Sequence, residues 1–251
     1  VLVMTAFGSI ETAVEAMRAG AREFLSRDAN SIALTEAFAR FTASRNKSRS
    51  SAARARVIMV TNGKGGAGAT TLAVNTAIAL QENHGPTVLV DFAALGHCAL
   101  HLNARPAFGV SDALQNLHRI DFSLLEGLMT SFRGGLRLLA GPQQPVPIAP
   151  TAGELARLFD LLVSHYRYVV IDCSNRMDQT ARLLSEPANT VLLVIQMDVV
   201  SLWSASRLFA FLEEGTGRDR VRLVLNRYKK IPGFSDDDVE KCVDDVAAAL
   251  K

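Results

Sequence analysis

Residues 60–73 read V-T-N-G-K-G-G-A-G-A-T-T-L-A, and this stretch decides the fold. A short β-branched run over residues 57–61 precedes its loop, and an alanine-rich helical pattern over residues 72–80 follows it. Strand, glycine-rich loop and helix in this order are the context of a phosphate-binding loop. The glycines let backbone N–H groups turn toward a ligand, and the helix offers unpaired N–H groups and the positive end of its dipole. The stretch therefore predicts a nucleotide site.

The predicted contacts with the nucleotide come from the loop and from the first turn of the helix. They are Gly63, Lys64, Gly65, Gly66, Ala67, Gly68, Ala69, Thr70 and Thr71. One of the two threonine hydroxyls is expected to bind Mg²⁺ and the other a phosphate oxygen, and we assign the metal to Thr70. The alternative is a glycine-rich turn without a ligand, but paired threonines after several glycines and a lysine are an uncommon way to build a simple turn.

The loop departs from the usual phosphate-loop pattern, which has a lysine directly before the hydroxyl residue. This chain has Ala69 at that position, and its lysine, Lys64, comes earlier, within K-G-G-x-G-x-T-T. This sequence motif resembles the deviant Walker A loop of the ParA/MinD-like ATPases. The resemblance implies ATP and Mg²⁺ as ligands and a homodimer formed through the nucleotide, in which Lys64 acts in trans on the partner's phosphates.

The composition sets ordinary bounds on the protein. The chain has 251 residues, 49% of them hydrophobic, which is enough for a sizeable core in one or two domains. A net charge of +2 does not indicate a general nucleic-acid binder, so we expect no specific nucleic-acid partner. The apolar runs are too short to span a membrane, and the three cysteines lack C-x-x-C spacing. We therefore expect a cytoplasmic protein without a structural metal.

Two composition changes divide the chain into three parts. Residues 45–56 are polar and basic without apolar periodicity, and they predict a flexible linker. Contact of their arginines and lysines with DNA or a membrane is the alternative. Residues 1–44 form a small segment before this linker, and residues 57–251 form an α/β domain after it.

The small segment has strand-like runs at residues 1–6 and 22–25 and helical patterns at residues 10–20 and 31–42. The sequence of this segment resembles the last third of a response-regulator receiver domain. The matching pattern is V-M-T-A-F-G-S-x-E-T-A-V-E-A-M-R-x-G-A-x-E-F-L. The resemblance implies that Thr5 is the switch hydroxyl, while Arg27 and Asp28 replace the lysine–proline pair of a receiver. We interpret the segment as a partial, degenerate receiver-like domain used for docking.

The larger part shows strand patterns between amphipathic helical patterns. The strands are expected at residues 88–91, 168–172, 190–195 and 221–225. The helices are expected at residues 110–117, 124–129, 154–163 and 235–250. Continuous apolar strands between such helices predict an α/β fold with a mostly parallel, doubly wound sheet. Ligands of such sheets sit at the carboxyl ends of the strands, where Asn62, Asp91, Asp172 and Asn226 fall.

Three of these strand-end residues match motifs of the resembled family. Asp172 in Y-V-V-I-D matches a Walker B carboxylate, which would hold Mg²⁺ through water beside Thr70, and a simple strand-end aspartate is the alternative. Asp91 in V-L-V-D resembles the first acidic residue of V-D-x-D, whose second position is Ala93 here. Asn226 in V-L-N-R-Y matches the V-x-N-R asparagine that reads adenine, or it is a strand-end asparagine. The catalytic candidates are thus Lys64, Asp91 and, weakly, Asp172.

Two groups that serve catalysis in the resembled family are absent from this chain. Ala69 removes a cation, and Ala93 removes the carboxylate that positions the attacking water in the family. Since the loss of one such group costs on the order of 10² to 10³ in rate, we expect weak or no ATP hydrolysis. Nucleotide binding should suffer less because the loop N–H groups and Mg²⁺ remain.

The whole chain resembles one branch of the family, the TadZ/CpaE group. The matching segments are K-G-G-A-G-A-T-T-L-A-V-N, Y-V-V-I-D and V-L-N-R-Y-K-K, together with the receiver-like front end. The resemblance implies a dimeric, nucleotide-dependent scaffold that localises or helps assemble a type IV or Flp (Tad) pilus at a cell pole, with pilus or polar proteins as partners. The alternative is an active MinD/ParA-type ATPase that positions a flagellum, the division site or DNA. Acidic residues over 235–245 would repel anionic lipid, so peripheral membrane association at most is expected.

Overall fold

A computed structural model describes residues 2–5, 23–26, 55–93, 95–142, 149–174 and 176–227. The chain divides into two compact units, Val1–Arg54 and Ala55–Lys251. In the first unit, strands β1 (Leu2–Thr5) and β2 (Glu23–Ser26) pair in parallel. The helices predicted for residues 10–20, 31–42 and 235–250 lie outside the described residues, as does most of the predicted linker.

The second unit is built on a seven-stranded sheet. Its strands are β3 (Arg56–Asn62), β4 (Thr87–Asp91), β5 (Thr130–Ser131), β6 (Arg137–Leu139), β7 (Tyr168–Asp172), β8 (Thr190–Ile195) and β9 (Val221–Leu225). They lie in the order β5-β6-β4-β7-β3-β8-β9, and every pair is parallel except β5 with β6. The predicted α/β fold with a mostly parallel sheet is confirmed.

Helices alternate with these strands. They are α1 (Ala69–Asn83), α2 (Cys98–His101), α3 (Val110–Gln115), α4 (Phe122–Gly127), α5 (Ala152–His165), α6 (Gln179–Ser185) and α7 (Val199–Thr216). Short 3-10 turns occupy Arg133–Gly135 and Arg218–Arg220. Carboxylates or hydroxyls cap several helices: Asp178 caps α6, Asp198 caps α7, and Thr151 caps α5 in a capping box with Glu154. Within the described residues, no helix combines the length and the apolar character needed to cross a bilayer.

Alternating side chains of the strands fill a core on each face of the sheet. Val57 and Met59 of β3 belong to one buried cluster, which includes side chains from α5, α6 and α7. Val60 belongs to a second cluster together with Ala73 and Ala77 of α1. The small alanine side chains let α1 lie close to the sheet, and burial of each larger apolar side chain contributes about 1.5–3 kcal/mol. This packing fixes the loop between β3 and α1 at the carboxyl edge of the sheet.

Candidate functional site

The glycine-rich loop connects the carboxyl end of β3 with the first turn of α1. Gly66 and Gly68 have φ angles of 79° and 99°, which favour glycine. Gly68 is the N-cap of α1, where no side chain caps the backbone N–H groups and no acidic residue occupies the first turn. An uncapped helix N-terminus behind a turned glycine loop is suited to an anion. The predicted strand–loop–helix context is therefore present.

Side-chain amides hold the carbonyl groups of the loop from outside. The Nδ2 atom of Asn226 donates to the carbonyl oxygen of Ala67 at 2.8 Å. The Nε2 atom of Gln196 donates to the carbonyl oxygen of Gly66 at 3.0 Å. The Asn62 amide donates in the same way to the carbonyl oxygen of Lys64. These contacts connect the ends of β3, β8 and β9 to the loop.

Thr70 is linked to Asp172 through one serine. The Thr70 Oγ1 and Ser174 Oγ atoms are 3.1 Å apart. The Ser174 backbone N–H donates to Asp172 Oδ1 at 3.1 Å, and its hydroxyl donates to the same oxygen. Asp172 is fully buried at the end of β7. A hydroxyl in front of a buried carboxylate fits Mg²⁺ held by Thr70 directly and by Asp172 through water.

Asp91 and Asp172 end neighbouring strands and are opposite each other in the sheet register. The Asp91 carboxylate accepts the backbone N–H of Ala93 at 3.1 Å and that of Cys98 at 2.9 Å. It thereby fixes the chain that follows β4. Burial, and then the negative charge of Asp172, raise the pKa of Asp91 to about 7, although the two backbone hydrogen bonds oppose the rise.

Cys98 lies between these two carboxylates. Its thiol donates to Asp172 Oδ2 at 3.4 Å, and the potential ligand atoms of Asp91, Cys98 and Asp172 all lie within 4.8 Å of one another. Burial and the nearby carboxylates raise the pKa of the Cys98 thiol well above its ordinary value. In this arrangement the thiol acts as a hydrogen-bond donor to Asp172.

Lys64 is bound within its own chain. Its Nζ atom lies 2.9 Å from Asp198 Oδ2, and both side chains are about one-third exposed, at 38% and 34%. The other oxygen of Asp198 accepts the backbone N–H of Ser201 at 3.0 Å and caps α7. The Lys64 hydrogen bond is the main reason that the pKa of Asp198 is below its ordinary value. A predicted function of Lys64 in trans would replace this contact.

The remaining predicted residues differ in exposure. Gly65 and Thr71 are exposed, whereas Ala67 is fully buried. Gly63 packs against α7, because a Cβ atom there would lie 2.9 Å from Ser204 Cβ. Ala69, the first residue of α1, is buried, so the position of the usual lysine faces the interior.

Ala93 is also buried, directly after the Asp91 strand. The guanidinium of Arg176 lies near it: Nη1 donates to the carbonyl oxygen of Phe92 at 3.3 Å, and Nη2 lies 2.6 Å from Asp178 Oδ2. A buried cation therefore approaches the region where the resembled family has its second acidic residue.

Sequence reasoning missed four residues of this site: Ser174, Cys98, Gln196 and Asp198. The aspartate before the helical pattern of residues 199–216 is a recognisable N-cap signal, so its place at the start of α7 was open to prediction. Its pairing with Lys64 was not, since the two residues are 134 positions apart.

Comparison with known proteins identifies a family and related folds. Residues 55–237 match the family model described as Cellulose biosynthesis protein BcsQ. The septum site-determining protein MinD of Thermotoga maritima is 26% identical over 178 residues, which cover 69% of this chain and 64% of that protein. The chain thus spans just under two thirds of the length of this curated relative.

Two solved structures share the fold. A ParA family ATPase from Chlorobium tepidum TLS has a TM-score of 0.68 at 22% identity, with 75% of this chain and 81% of that chain covered. Cobyrinic acid a,c-diamide synthase from Mycobacterium smegmatis, solved with a bound ATP analog and magnesium, has a TM-score of 0.60 at 21% identity, with coverages of 76% and 82%.

The mostly parallel sheet has the fold of the ParA family ATPase. Because the family model covers well over half of the sequence, the chain belongs to the family described as Cellulose biosynthesis protein BcsQ.

The raised pKa of Asp91 predicts a pH-dependent stability. Because the pKa is about 7 in the folded state against an ordinary 3.8, the folded protein holds a proton that the unfolded chain has released between these values. The free energy of unfolding should therefore fall as pH rises from about 5 to 7.5, by at most about 1.4 kcal/mol per pH unit. Chemical denaturation without nucleotide or metal would measure this slope.

The variant Asp91→Asn should flatten the slope, whatever its effect on absolute stability. Asp160→Asn, at an exposed position of α5, serves as the control and should keep the parental slope. The carboxylates with lowered pKa values, such as Asp178, act mainly below about pH 5, under the measured window. Equal slopes in the parent and Asp91→Asn would contradict the assignment.

Proposed function

We propose that this chain binds Mg-ATP at residues 63–71 and acts as a nucleotide-dependent dimeric scaffold with weak or no ATP hydrolysis. One observation carries the proposal: the uncapped N-terminus of α1 lies behind Gly66 and Gly68, and Thr70 on its first turn is joined through Ser174 to the buried Asp172. The proposed anion site and the proposed cation site thus lie next to each other on the first turn of α1. The magnesium and ATP analog of the Mycobacterium smegmatis synthase, which shares the fold, support the choice of ligand.

The donor set suits magnesium. Thr70 would supply a hydroxyl ligand, while Asp172 and Ser174 would orient water around the ion. When bound, Mg²⁺ neutralises charge on the phosphate oxygens. The protonated Cys98 thiol leaves one oxygen of Asp172 engaged in a hydrogen bond, so this carboxylate has a fixed orientation.

The same geometry favours slow hydrolysis. Asp91 is the nearest carboxylate to Ala93 along the chain, but both of its oxygens already accept backbone N–H groups. It is therefore poorly placed to substitute for a water-positioning residue at position 93. Lys64, the cation of the loop, is paired with Asp198 in the single chain. Within one subunit, Asp91 therefore does not replace the missing carboxylate, and Lys64 in this position does not replace the missing cation.

For the cellular role, we propose that the scaffold localises or helps assemble a type IV or Flp pilus at a cell pole. The support is the resemblance of the loop, the Y-V-V-I-D strand and the receiver-like front end to the TadZ/CpaE group. A second candidate is the positioning of another cargo, which the MinD relative favours. The description of the family model adds cellulose biosynthesis to the outcomes that need measurement.

A deletion strain would separate these roles. Loss of surface pili, with normal cell length and cellulose output, is expected, together with a polar focus of a fluorescent fusion that restores piliation. Mislocalised division septa would support the MinD-type alternative, and lost cellulose with normal pili would point to the role named by the family description. Either of the last two results with intact piliation would contradict the pilus assignment.

The metal assignment predicts a loss of magnesium-dependent binding. Thr70→Ala removes the hydroxyl ligand, and Asp172→Asn removes the charge while keeping the side-chain size. Each should weaken ATP binding in the presence of Mg²⁺ by about 10- to 100-fold, and much less in the presence of a chelator. Isothermal titration or a fluorescent ATP analogue would measure both affinities.

Matched controls lie on the same kinds of element. Thr76→Ala changes a threonine further along α1, and Asp160→Ala removes an exposed carboxylate from α5. Both should bind Mg-ATP like the parent. If Thr70→Ala and Asp172→Asn are folded and also bind like the parent, the site is assigned wrongly.

A further inference from the structure

The outer face of helix α7 is apolar. Among the described side chains of this helix, the exposed ones are Val199, Val200, Trp203, Arg207 and Ala210. Val199 is 82% exposed, Val200 58% and Trp203 51%. The solvent-facing side of a helix normally carries polar and charged residues, and clustered apolar side chains there indicate a surface that another molecule covers. We call Val199, Val200 and Trp203 the α7 patch.

Trp203 is the largest member of the patch. The guanidinium carbon of Arg207, one helical turn further on, lies 4.0 Å from the centroid of the Trp203 ring. This cation–π contact holds the indole in place on the helix surface. Arg207 is the only charged residue among the exposed side chains described for α7. Tryptophan and arginine are the residue types that most often dominate the binding energy of protein interfaces.

The α7 patch begins beside the phosphate loop. Val199 and Val200 directly follow Asp198, whose Oδ2 atom lies 2.9 Å from Lys64 Nζ. The first glycine of the loop, Gly63, packs against Ser204 of the same helix. A molecule that meets Lys64 from outside the chain therefore also meets the start of α7.

Other exposed apolar side chains concentrate at the same edge of the sheet. The exposed large hydrophobic residues that the structure describes are Leu95, Leu100, Phe108, Val163, Met177, Val199, Val200, Trp203 and Leu223. All except Val163 and Leu223 lie on segments at the carboxyl ends of β4, β6, β7 or β8, with Phe108 placed there by the bridge between Gly109 and Ala140. The five neighbouring strands from β6 to β8 span about 19 Å. An ordinary interface of about 800 Å² per partner is about 28 Å across, so one interface can cover the whole set.

We propose that the α7 patch packs against the same patch of a second copy of this chain and supplies hydrophobic affinity to the nucleotide-dependent dimer. The inference rests on the dimer of the proposed function. A two-fold contact brings a surface against its own copy, so the surface has to complement itself. An apolar patch does so, whereas a patch with charges of one sign repels its copy. In this arrangement the patch supplies affinity and Lys64 supplies the dependence on ATP.

The test measures dimer dissociation constants of the full chain with Mg-ATP by analytical ultracentrifugation. Trp203→Ala should weaken the dimer by at least about 30-fold, because a central tryptophan is a typical hot spot and a two-fold contact loses it twice. Trp203→Phe keeps an aromatic ring and should lose less than Trp203→Ala. Val163→Ala is the matched control, since it shortens an exposed apolar side chain of α5 outside the patch, and it should dimerise like the parent.

Salt distinguishes the patch from Lys64. The contact of Lys64 with phosphate weakens as salt rises, whereas hydrophobic contact does not. The loss caused by Trp203→Ala should therefore stay within about twofold between low and high sodium chloride. At protein concentrations where the parent is monomeric, Trp203→Ala should bind Mg-ATP like the parent, because the loop packs against Ser204 and Trp203 faces solvent.

Trp203 is the only tryptophan of the chain, so its fluorescence reports on the patch directly. In dilute protein the emission should be that of an exposed indole, and it should move to shorter wavelength as the dimer forms. An indole that is buried at every concentration would mean that another part of the same chain covers the patch. An indole that stays exposed in the dimer would mean that the patch serves a different partner. Either result overturns the proposal.

Failure of this inference is distinguishable from failure of the proposed function. A folded Trp203→Ala variant that dimerises like the parent overturns the role of the patch and leaves nucleotide binding intact. A parent that binds no nucleotide, yet forms a concentrated-solution dimer that Trp203→Ala abolishes, overturns the proposed function and retains the patch. If Trp203→Ala does not fold, Val199→Ser tests the same surface at its most exposed residue and should weaken the dimer by about threefold or more.

Discussion

The double variant Ala69→Lys/Ala93→Asp is expected to hydrolyse ATP at least about 10²-fold faster than the parent chain. The lysine supplies a cation in cis at the first residue of α1, and the aspartate supplies a carboxylate after β4. Each group stabilises charge or positions water in phosphoryl transfer, and each is typically associated with 10² to 10³ in rate. We expect less than the full product of these factors because residues that act together are not additive.

Phosphate release at saturating Mg-ATP measures this effect, and the parent should turn over well below about 1 s⁻¹. Both substituted positions are buried, so each single variant needs a melting curve before its rate is interpreted. Adding Thr70→Ala to the double variant should abolish the gain, which excludes a contaminating ATPase. Parental turnover above about 1 s⁻¹ would contradict the argument from Ala69 and Ala93.

Prediction from sequence succeeded where a local hydrophobic pattern determines the secondary structure. The strands at Tyr168–Asp172, Thr190–Ile195 and Val221–Leu225 have the bounds expected from the sequence, because each contains an apolar run of at least three residues. Helix α1 followed from the loop and from its alanines, which pack toward the second core.

The region between β4 and α5 was predicted less well. Its strands, Thr130–Ser131 and Arg137–Leu139, are too short to show a period, and β5 is the antiparallel edge of the sheet. Such strands form because a neighbouring strand is available, and that neighbour is distant in sequence: β6 pairs with β4, with Val88 opposite Arg137. Local sequence carries little information about pairings of this kind.

The residues of the site also fall into two groups, those whose positions could be predicted from the sequence and those whose positions could not. The strand-end positions of Asp91, Asp172 and Asn226 followed from the alternation of strands and helices, since parallel strands end at one edge. Their partners did not: Ser174 between Thr70 and Asp172, and Cys98 between the two carboxylates, depend on distances across the sheet. For Asn226, sequence indicated a place near the nucleotide, while the contact with Ala67 required coordinates.

Addition of ATP is expected to increase the dimer population, and Lys64→Ala is expected to abolish that increase. In the resembled family this lysine reaches the phosphates of the partner subunit, where a desolvated charge pair can contribute several kcal/mol to association. For a contribution of this size, Lys64→Ala should weaken ATP-dependent dimerisation by at least about 10-fold. Analytical ultracentrifugation with and without ATP measures it, and Arg157→Ala on the exposed face of α5 is the control.

The ion pair between Lys64 and Asp198 adds a second expectation. In the single chain the lysine is held at 2.9 Å by an aspartate that also caps α7. Dimerisation through Lys64 has to break this pair, so the pair favours the monomer. Asp198→Asn removes the charge, yet asparagine is an equally good N-cap and should preserve the start of α7. This variant should therefore raise the dimer fraction at subsaturating ATP, by about two- to fivefold for a partly exposed pair.

The two variants together separate the models of assembly. Opposite shifts, with Lys64→Ala losing dimer and Asp198→Asn gaining it, are expected only if Lys64 is shared between its own chain and a partner's nucleotide. If Lys64 were a loop lysine without a role in assembly, neither variant would change the ATP response. If a dimer formed without ATP and was unaffected by both substitutions, residues 1–44 would be the expected contact between the subunits. In that case the nucleotide would have a role other than bridging them.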